Sequence, residues 1–181
     1  MEHIRVNNNI RLEKIKLSMA PVIFSTMDKD RKYLKTWLPF VDQTTKVFDT
    51  EKFIERVLEN NESKKNEIFS IWFNEEFAGL IGFNDIDWLN RKTEIGYWLA
   101  DKMQGKGIAS KCTEKLIRYA FKKIKLNRIQ IKVAVGNTRS AAIPKRLGFI
   151  FEGIERSGEL HRQKYLDLEV YSILKSDNFS F

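Results

Sequence analysis

Two segments combine residue types and spacing that could do chemistry. The first is Gln104-Gly105-Lys106-Gly107-Ile108-Ala109, which follows the strand-like run 94–99 and opens a long helical pattern. Gly105 and Gly107 admit positive φ and a close approach of backbone to ligand. Amides at such a helix start point the same way and the helix dipole adds positive potential. The segment could therefore cradle a phosphate, with Lys106 adding formal charge. It has neither the three-glycine dinucleotide fingerprint nor the P-loop Gly-Lys-Ser/Thr. A tight strand-to-helix turn would need the same glycines, so spacing alone leaves both readings open. The second segment runs from Asn137-Thr-Arg-Ser140 to Leu147-Gly148-Phe149. Asn137 is a good helix N-cap, Ser140 falls in the first turn, and Gly148 can end the helix. Read alone, this is a capped helix. Cys112 shares a helical face with Ile108 and Leu116, which makes it packing rather than a nucleophile.

These segments need a scaffold. Residues 10–17 alternate enough for a strand. Ser18 is expected to cap a helix with Pro21 in its first turn. An apolar stripe through Tyr33, Leu34, Trp37 and Leu38 follows, then a helix capped by Asp49 or Thr50, then a solvated connection over 59–66. Runs 68–73 and 77–83 read as a hairpin around Asn74-Glu75-Glu76, and 91–99 as a third strand. A helix carries Ile108, Cys112, Leu116, Tyr119 and Phe121. Residues 128–135 alternate as a strand, 140–147 form a short helix, and strands 149–155 and 165–174 flank a loop over 156–164. Trp37, Trp72, Trp88 and Trp98 are expected mainly in the core. The order β-αα-βββ-α-β-α-ββ is that of one mixed α/β (α+β) domain over residues 1–181.

Composition excludes several classes. With 43% hydrophobic and 31% charged residues the chain is globular. One Cys rules out a disulfide framework, and His3 and His161 are too far apart in sequence for metal-ligand spacing, so no metal is expected. The N-terminal stretch lacks a basic region followed by an apolar run, and no stretch approaches a membrane span, so a cytoplasmic protein is expected. A net charge of +8 favours an acidic partner without choosing one. A basic RNA-binding module is the rival class, but there is no RNP-like aromatic motif or helix-turn-helix pattern, and no direct nucleic-acid contact is expected.

Taken together and in this order, the two segments resemble the GNAT N-acetyltransferase superfamily. Gln104-Gly-Lys-Gly-Ile-Ala109 is similar to its Q/R-x-x-G-x-G/A acyl-CoA signature. Asn137-x-x-Ser140 with Leu147-Gly148-Phe149 is similar to the RimJ/RimL-type subgroup, which acetylates N-termini of ribosomal proteins. Glu94-Ile-Gly-Tyr-Trp98 and Glu152-Gly153 fit that subgroup, and the resemblance runs from about Ile10 to Leu174.

The resemblance implies a mostly antiparallel sheet whose central strands splay, flanked by helices. It implies acetyl-CoA as co-substrate, its diphosphate on the amides of Gln104, Gly105, Lys106, Gly107, Ile108 and Ala109. Its pantetheine arm would lie along the splay near Trp98 and Leu99 and contact Asn137. Lys145 or Arg146 would meet the adenosine phosphates. An α-amine attacks directly in a ternary complex. Its free pKa of about 7.7–8.0 makes deprotonation cheap near neutral pH. A backbone N–H at Trp98 or Leu99 would serve the oxyanion. Many superfamily members place a Tyr acid where this chain has Pro144, so Ser140 is the implied donor to sulfur. Glu159 matches the subgroup's general base, with His161 as a chemical rival. The implied acceptor is a primary amine, foremost the N-terminus of an acidic ribosomal protein. A small amine such as a polyamine or aminoglycoside is the alternative. A homodimer is also implied.

Overall fold

The computed structural model describes residues 3–177 and 179; Met1 and Glu2 of the N-terminal stretch lie outside them. Among the described residues, eight strands form one sheet in the order β1-β2-β3-β4-β5-β6-β8-β7. They are β1 (His3–Arg5), β2 (Ile10–Lys14), β3 (Glu67–Phe73), β4 (Glu76–Asp87), β5 (Lys92–Leu99), β6 (Arg128–Ala134), β7 (Ile150–His161) and β8 (Lys164–Leu174). Every neighbouring pair is antiparallel except β5 and β6. A parallel pair needs a crossover, and α4 (Ile108–Lys122) supplies it.

Helices cover both faces. On one side α4 inserts Ile108, Cys112, Leu116, Ile117 and Ala120 against Ile81, Phe83, Ile95, Ile129 and Ile131. The i, i+4, i+8 spacing of Ile108, Cys112 and Leu116 is the apolar stripe of a core-facing helix. On the other side α1 (Ala20–Lys29) and α3 (Val47–Glu62) pack Ile23, Met27, Ile54 and Val57 with Phe77, Leu80 and Trp98. The short helices α2 (Arg31–Leu34) and α5 (Thr138–Arg146) complete the chain. Among the described residues, no helix is long and apolar enough to cross a membrane.

The departures from expectation have physical reasons. β1 is only three residues long and leaves no periodic signal. The strand at 10–17 stops at Lys14, because residues Leu17–Met19 form a 3-10 turn leading into α1, whose first turn holds Pro21. α3 starts before Asp49: the Asp49 carboxylate reaches back and accepts from the amides of Thr45 (2.8 Å) and Lys46 (3.0 Å). It acts as the third-position half of a capping box rather than as the cap itself. α3 also runs on through residues 59–62 of the expected connection. The expected loop over 156–164 is mostly strand. β7 reaches His161 through an irregularity where β7 advances four positions, from Glu155 to Glu159, against two of β8, from Leu168 to Leu166. Ser157 takes φ +52° there. Such a bulge breaks the period-two pattern on which strand recognition depends, and it re-aims the side chains beyond it. Trp88 is exposed, its indole N–H donating to the Lys64 carbonyl at 2.7 Å, so it is not a core residue.

Candidate active site

The β5–β6 ladder holds only at Lys92, Thr93 and Glu94, opposite Arg128, Ile129 and Gln130. Beyond that point β5 stays with β4 as far as Leu99, while β6 stays with β8 as far as Ala134. The two central strands therefore part. At the crotch, Gln130 Nε2 donates to Glu94 Oε2 at 3.1 Å. Among the described residues, the β6-facing edge of β5 from residue 95 onward has no ladder partner, which leaves backbone groups to be satisfied by a ligand or solvent.

Two cavities flank the opening. One, of about 600 Å³, runs past Gln104, Gly105, Gly107, Ile108 and Ala109. The other, of about 950 Å³, lies under α3 and the end of β7 and includes Glu94 and Glu159. Both are lined by Trp37, Leu38, Tyr97, Trp98, Asn137 and Ser140. They meet at those residues, so a group entering from one side can touch a group entering from the other.

The smaller cavity ends at the start of α4. Gly107 is the N-cap, in the left-handed conformation (φ +71°), and no side chain caps the helix. A Cβ on Gly105 or Gly107 would meet nothing within 4 Å. The glycines are thus needed for their positive φ, and the space in front of them is open. First-turn amides without a side-chain cap could receive an anion, as helix starts do. Leu99 also lines this cavity. Arginines stand at the rim: Arg139 donates to Gln104 Oε1 (3.0 Å) and Arg146 to Ser110 Oγ (2.8 Å). Lys106 and Lys145 do not line it; their ammonium groups sit over the rings of Phe73 (5.6 Å) and Tyr171 (5.8 Å).

At the junction, Asn137 Oδ1 accepts from the Ser140 amide at 3.2 Å, capping α5. Cap and site are the same residues. The Tyr97 hydroxyl donates to the Ser140 carbonyl and lies 3.2 Å from Ser140 Oγ. Burial pushes the Tyr97 phenol up to about 12, against the lowering effect of the Ser140 hydrogen bond. Tyr97 therefore stays neutral at working pH, a fixed donor and acceptor beside Ser140.

In the larger cavity two carboxyls face the opening. Burial raises Glu159 above the ordinary glutamate range; His161 works against that rise and Glu94 adds to it. Glu94 is raised mainly by burial, opposed by the Gln130 hydrogen bond and by Lys132. Two carboxyls held above their usual range take up a proton more readily than free glutamates do. His161 Nδ1 is buried with no partner, and the imidazole is not part of the cavity wall. Next to it, Arg162 Nε bonds Asp42 Oδ2 at 2.8 Å, tying the β7–β8 turn to the segment Pro39–Asp42. Cys112 is fully buried in the α4 core and burial pushes its thiol up to about 12, which makes it inert. No metal-binding cluster occurs among the described residues.

The sequence reading missed Glu94 and Tyr97 as site residues, although it singled out their strand. Period-two alternation tells which residues share a face, but not that both faces of β5 open into a cleft.

A family model described as acetyltransferase (GNAT) domain matches residues 9–150. The chain belongs to the GNAT acetyltransferase family. This GNAT protein is an N-acetyltransferase with acetyl-CoA as co-substrate. The residues fit that group: a glycine-capped helix start with open space before it, an elongated cavity, and an unladdered strand edge. The ribosomal-protein-serine acetyltransferase of Escherichia coli is 30% identical over 174 residues, 94% of this chain and 96% of that one. Among solved structures, the microcin self-immunity acetyltransferase MccE in complex with acetyl-CoA and AMP superposes with TM-score 0.92 at 29% identity, covering 96% of this chain and of that one. The ribosomal-protein α-N-acetyltransferase RimL in complex with coenzyme A gives TM-score 0.92 at 26% identity, covering 97% of this chain and all of that one. Ser140 lies inside the matched residues; Glu159 lies beyond them.

Proposed function

We propose that this GNAT enzyme acetylates the N-terminal α-amine of a protein, a ribosomal protein foremost, by direct attack in a ternary complex. The observation that carries this reading is the meeting of two cavities at Ser140 and Tyr97 between parted strands. One side has the features of a diphosphate cradle, and the other is larger and lined by the carboxyls of Glu94, Glu159 and Asp49. The names of the full-length relatives support a protein acceptor.

Acetyl-CoA supplies a thioester whose carbonyl carbon bonds to the amine nitrogen as the carbon–sulfur bond breaks. Glu159 takes the proton that the amine must lose, and its raised pKa suits that task. Glu94 holds the ammonium before it is deprotonated. A backbone N–H of the unladdered β5 edge, at Trp98 or Leu99, donates to the developing oxyanion. Ser140 Oγ donates to the departing sulfur. A serine hydroxyl is a weak acid, so it contributes as a hydrogen-bond donor, with Tyr97 fixing its position. Gln104, Gly105, Gly107, Ile108 and Ala109 hold the diphosphate, with Arg139 and Arg146 at its rim. Lys106 and Lys145 act from outside the wall through their charge.

The test is acetyl-CoA consumption with N-terminal peptides of ribosomal proteins and a panel of small amines, alongside mass spectrometry of ribosomal proteins from cells with and without the enzyme. Acceptor-dependent thiol release with α-N-acetylated peptide is expected. Acetylation of polyamines or aminoglycosides and of no peptide would overturn the protein acceptor.

A further inference from the structure

The charges around the larger cavity are not evenly matched. Three cationic side chains line it: Lys52, Arg56 and Lys132. Two of these already have carboxylates. Lys52 Nζ bonds Glu55 at 2.7 Å, and Lys132 Nζ bonds Glu155 at 2.7 Å. Arg56 has no carboxylate within ion-pair distance among the described residues. Its single hydrogen bond is from Nε to the Lys52 carbonyl of its own helix, at 3.4 Å. The remaining acidic residue on this wall, Asp49, is engaged by the amides of Thr45 and Lys46.

Arg56 also has the right neighbours. Positions 49, 52, 53 and 56 recur at three- and four-residue intervals, so Asp49, Lys52, Phe53 and Arg56 lie along one face of α3 over the cavity. On the same wall Thr50 is buried, and its Oγ1 has no hydrogen-bond partner. An unsatisfied buried hydroxyl is costly unless something completes it. The same cavity is lined by Glu94 of β5 and Glu159 of β7, where an ammonium would sit. The lining thus offers carboxylates on β5 and β7 and, on α3, an exposed guanidinium without a carboxylate partner among the described residues and an idle hydroxyl.

We propose that Arg56 is a specificity residue that binds a carboxylate side chain near the start of the acceptor, selecting protein N-termini with Asp or Glu within their first few residues. This rests on the reading of the acceptor as a protein N-terminus and names its class. A guanidinium pairs with a carboxylate through two parallel hydrogen bonds, a geometry that lysine cannot reproduce. A phosphate, as on an aminoacyl nucleotide, would also suit a guanidinium. Such a phosphate carries one charge, as a carboxylate does; the carboxylate is assigned because the acceptor is read as a protein N-terminus, and the nucleotide is an outcome of the test.

The test uses the full chain, acetyl-CoA and hexapeptides identical except for Asp, Ala or Lys at residues two and three. Wild type, Arg56→Gln, Arg56→Lys and Arg56→Glu are compared, with thermal melts to verify folding. For the wild type, the Asp peptide should have a KM roughly tenfold below that of the Ala peptide, and the gap should narrow with added salt. Arg56→Gln should erase the gap by raising KM for the Asp peptide while leaving kcat within about twofold. Arg56→Lys should restore part of it, and Arg56→Glu should turn the preference toward the Lys peptide. Equal kcat/KM for all three peptides in wild type would overturn the specificity role and leave N-terminal acetylation standing. A non-hydrolysable aminoacyl-adenylate preferred over every peptide would overturn the carboxylate assignment. Failure with all peptides would overturn the protein acceptor, and this inference with it.

Discussion

Replacing Ser140 with Ala separates chemistry from architecture, because the backbone and side chain of this residue do different things. The amide caps α5 through Asn137 Oδ1, and alanine keeps that amide. The hydroxyl's hydrogen-bond partner is Tyr97, so its loss should cost about 0.5–1.5 kcal/mol of stability, one net hydrogen bond. The rate should respond far more. A positioned donor to a leaving group contributes about 10²–10⁴-fold. A serine hydroxyl, which shares a proton rather than transferring one, belongs at the low end, so kcat should fall about 10²-fold, some 2.7 kcal/mol. Tyr97→Phe removes the group that holds Ser140 Oγ. One net hydrogen bond is worth about 0.5–1.5 kcal/mol, so kcat should fall about 3- to 10-fold. If Tyr97 acts through Ser140, adding Tyr97→Phe to Ser140→Ala should cost less than about twofold more. Thiol release measures kcat, and calorimetry measures acetyl-CoA affinity. A Ser140→Ala enzyme with kcat within threefold of wild type, or one that loses affinity as much as rate, would refute the donor role. Fully multiplicative effects would refute the role of Tyr97 as positioning residue.

The base has its own signature. Glu159 must be ionised to act, and its pKa is raised, so kcat/KM should rise with pH through a limb above the ordinary glutamate value of 4.5. Glu159→Gln should abolish that limb, and retention of the limb assigns it elsewhere. Glu94 is one cause of the rise, so Glu94→Gln should move the limb to lower pH; an upward shift would contradict the coupling. Gly107→Asp should raise the Kd for acetyl-CoA at least about tenfold, since a non-glycine residue at φ +71° costs about 1–2 kcal/mol and the carboxylate meets the diphosphate. Gly148→Ala, strained alike at φ +74° but away from the cradle, is the control, and equal effects of the two would count against the cradle. Cys112 should resist alkylation in the native protein and react at once in denaturant; labelling of native protein would contradict its burial.

Elements built from long periodic runs were legible in the sequence. The stripe of Ile108, Cys112 and Leu116 and the alternation of Ile129, Ile131 and Val133 both lie where that periodicity puts them, on the core face. The start of α3 was less legible because Asp49 caps from inside the helix, which reads like a cap three residues too late. The end of β7 was hidden by its bulge, where Arg156-Ser-Gly-Glu carries no alternation to detect. In the candidate site, the two-glycine start of α4 and the Asn137–Ser140 cap were visible because backbone geometry dictates glycine and asparagine there. Direction was not visible. Lys106 and Lys145 carry the right charge, but their side chains rest over Phe73 and Tyr171, while Arg139 and Arg146 stand at the rim.

The parted strands are the part of the site that propensity argues against. A sheet gains by continuing its ladder, and leaving the β5 edge open past Glu94 forgoes hydrogen bonds that the backbone could make. Side chains on both faces of β5 hold it away from β6. On one face Trp98 is buried against Phe77, with the rings at 67° and centroids 6.0 Å apart, inside the cluster formed with α1 and α3. On the other, Tyr97 is drawn to Ser140 at the start of α5. The Glu94–Gln130 bond fastens the last paired rung. β5 thus follows its side-chain contacts where they diverge from its ladder with β6. The backbone groups left open lie between the two cavities, where a substrate can complete them. Local sequence rules favour a closed sheet here, and the reaction needs an open one, so a functional site is where such a conflict is expected to survive.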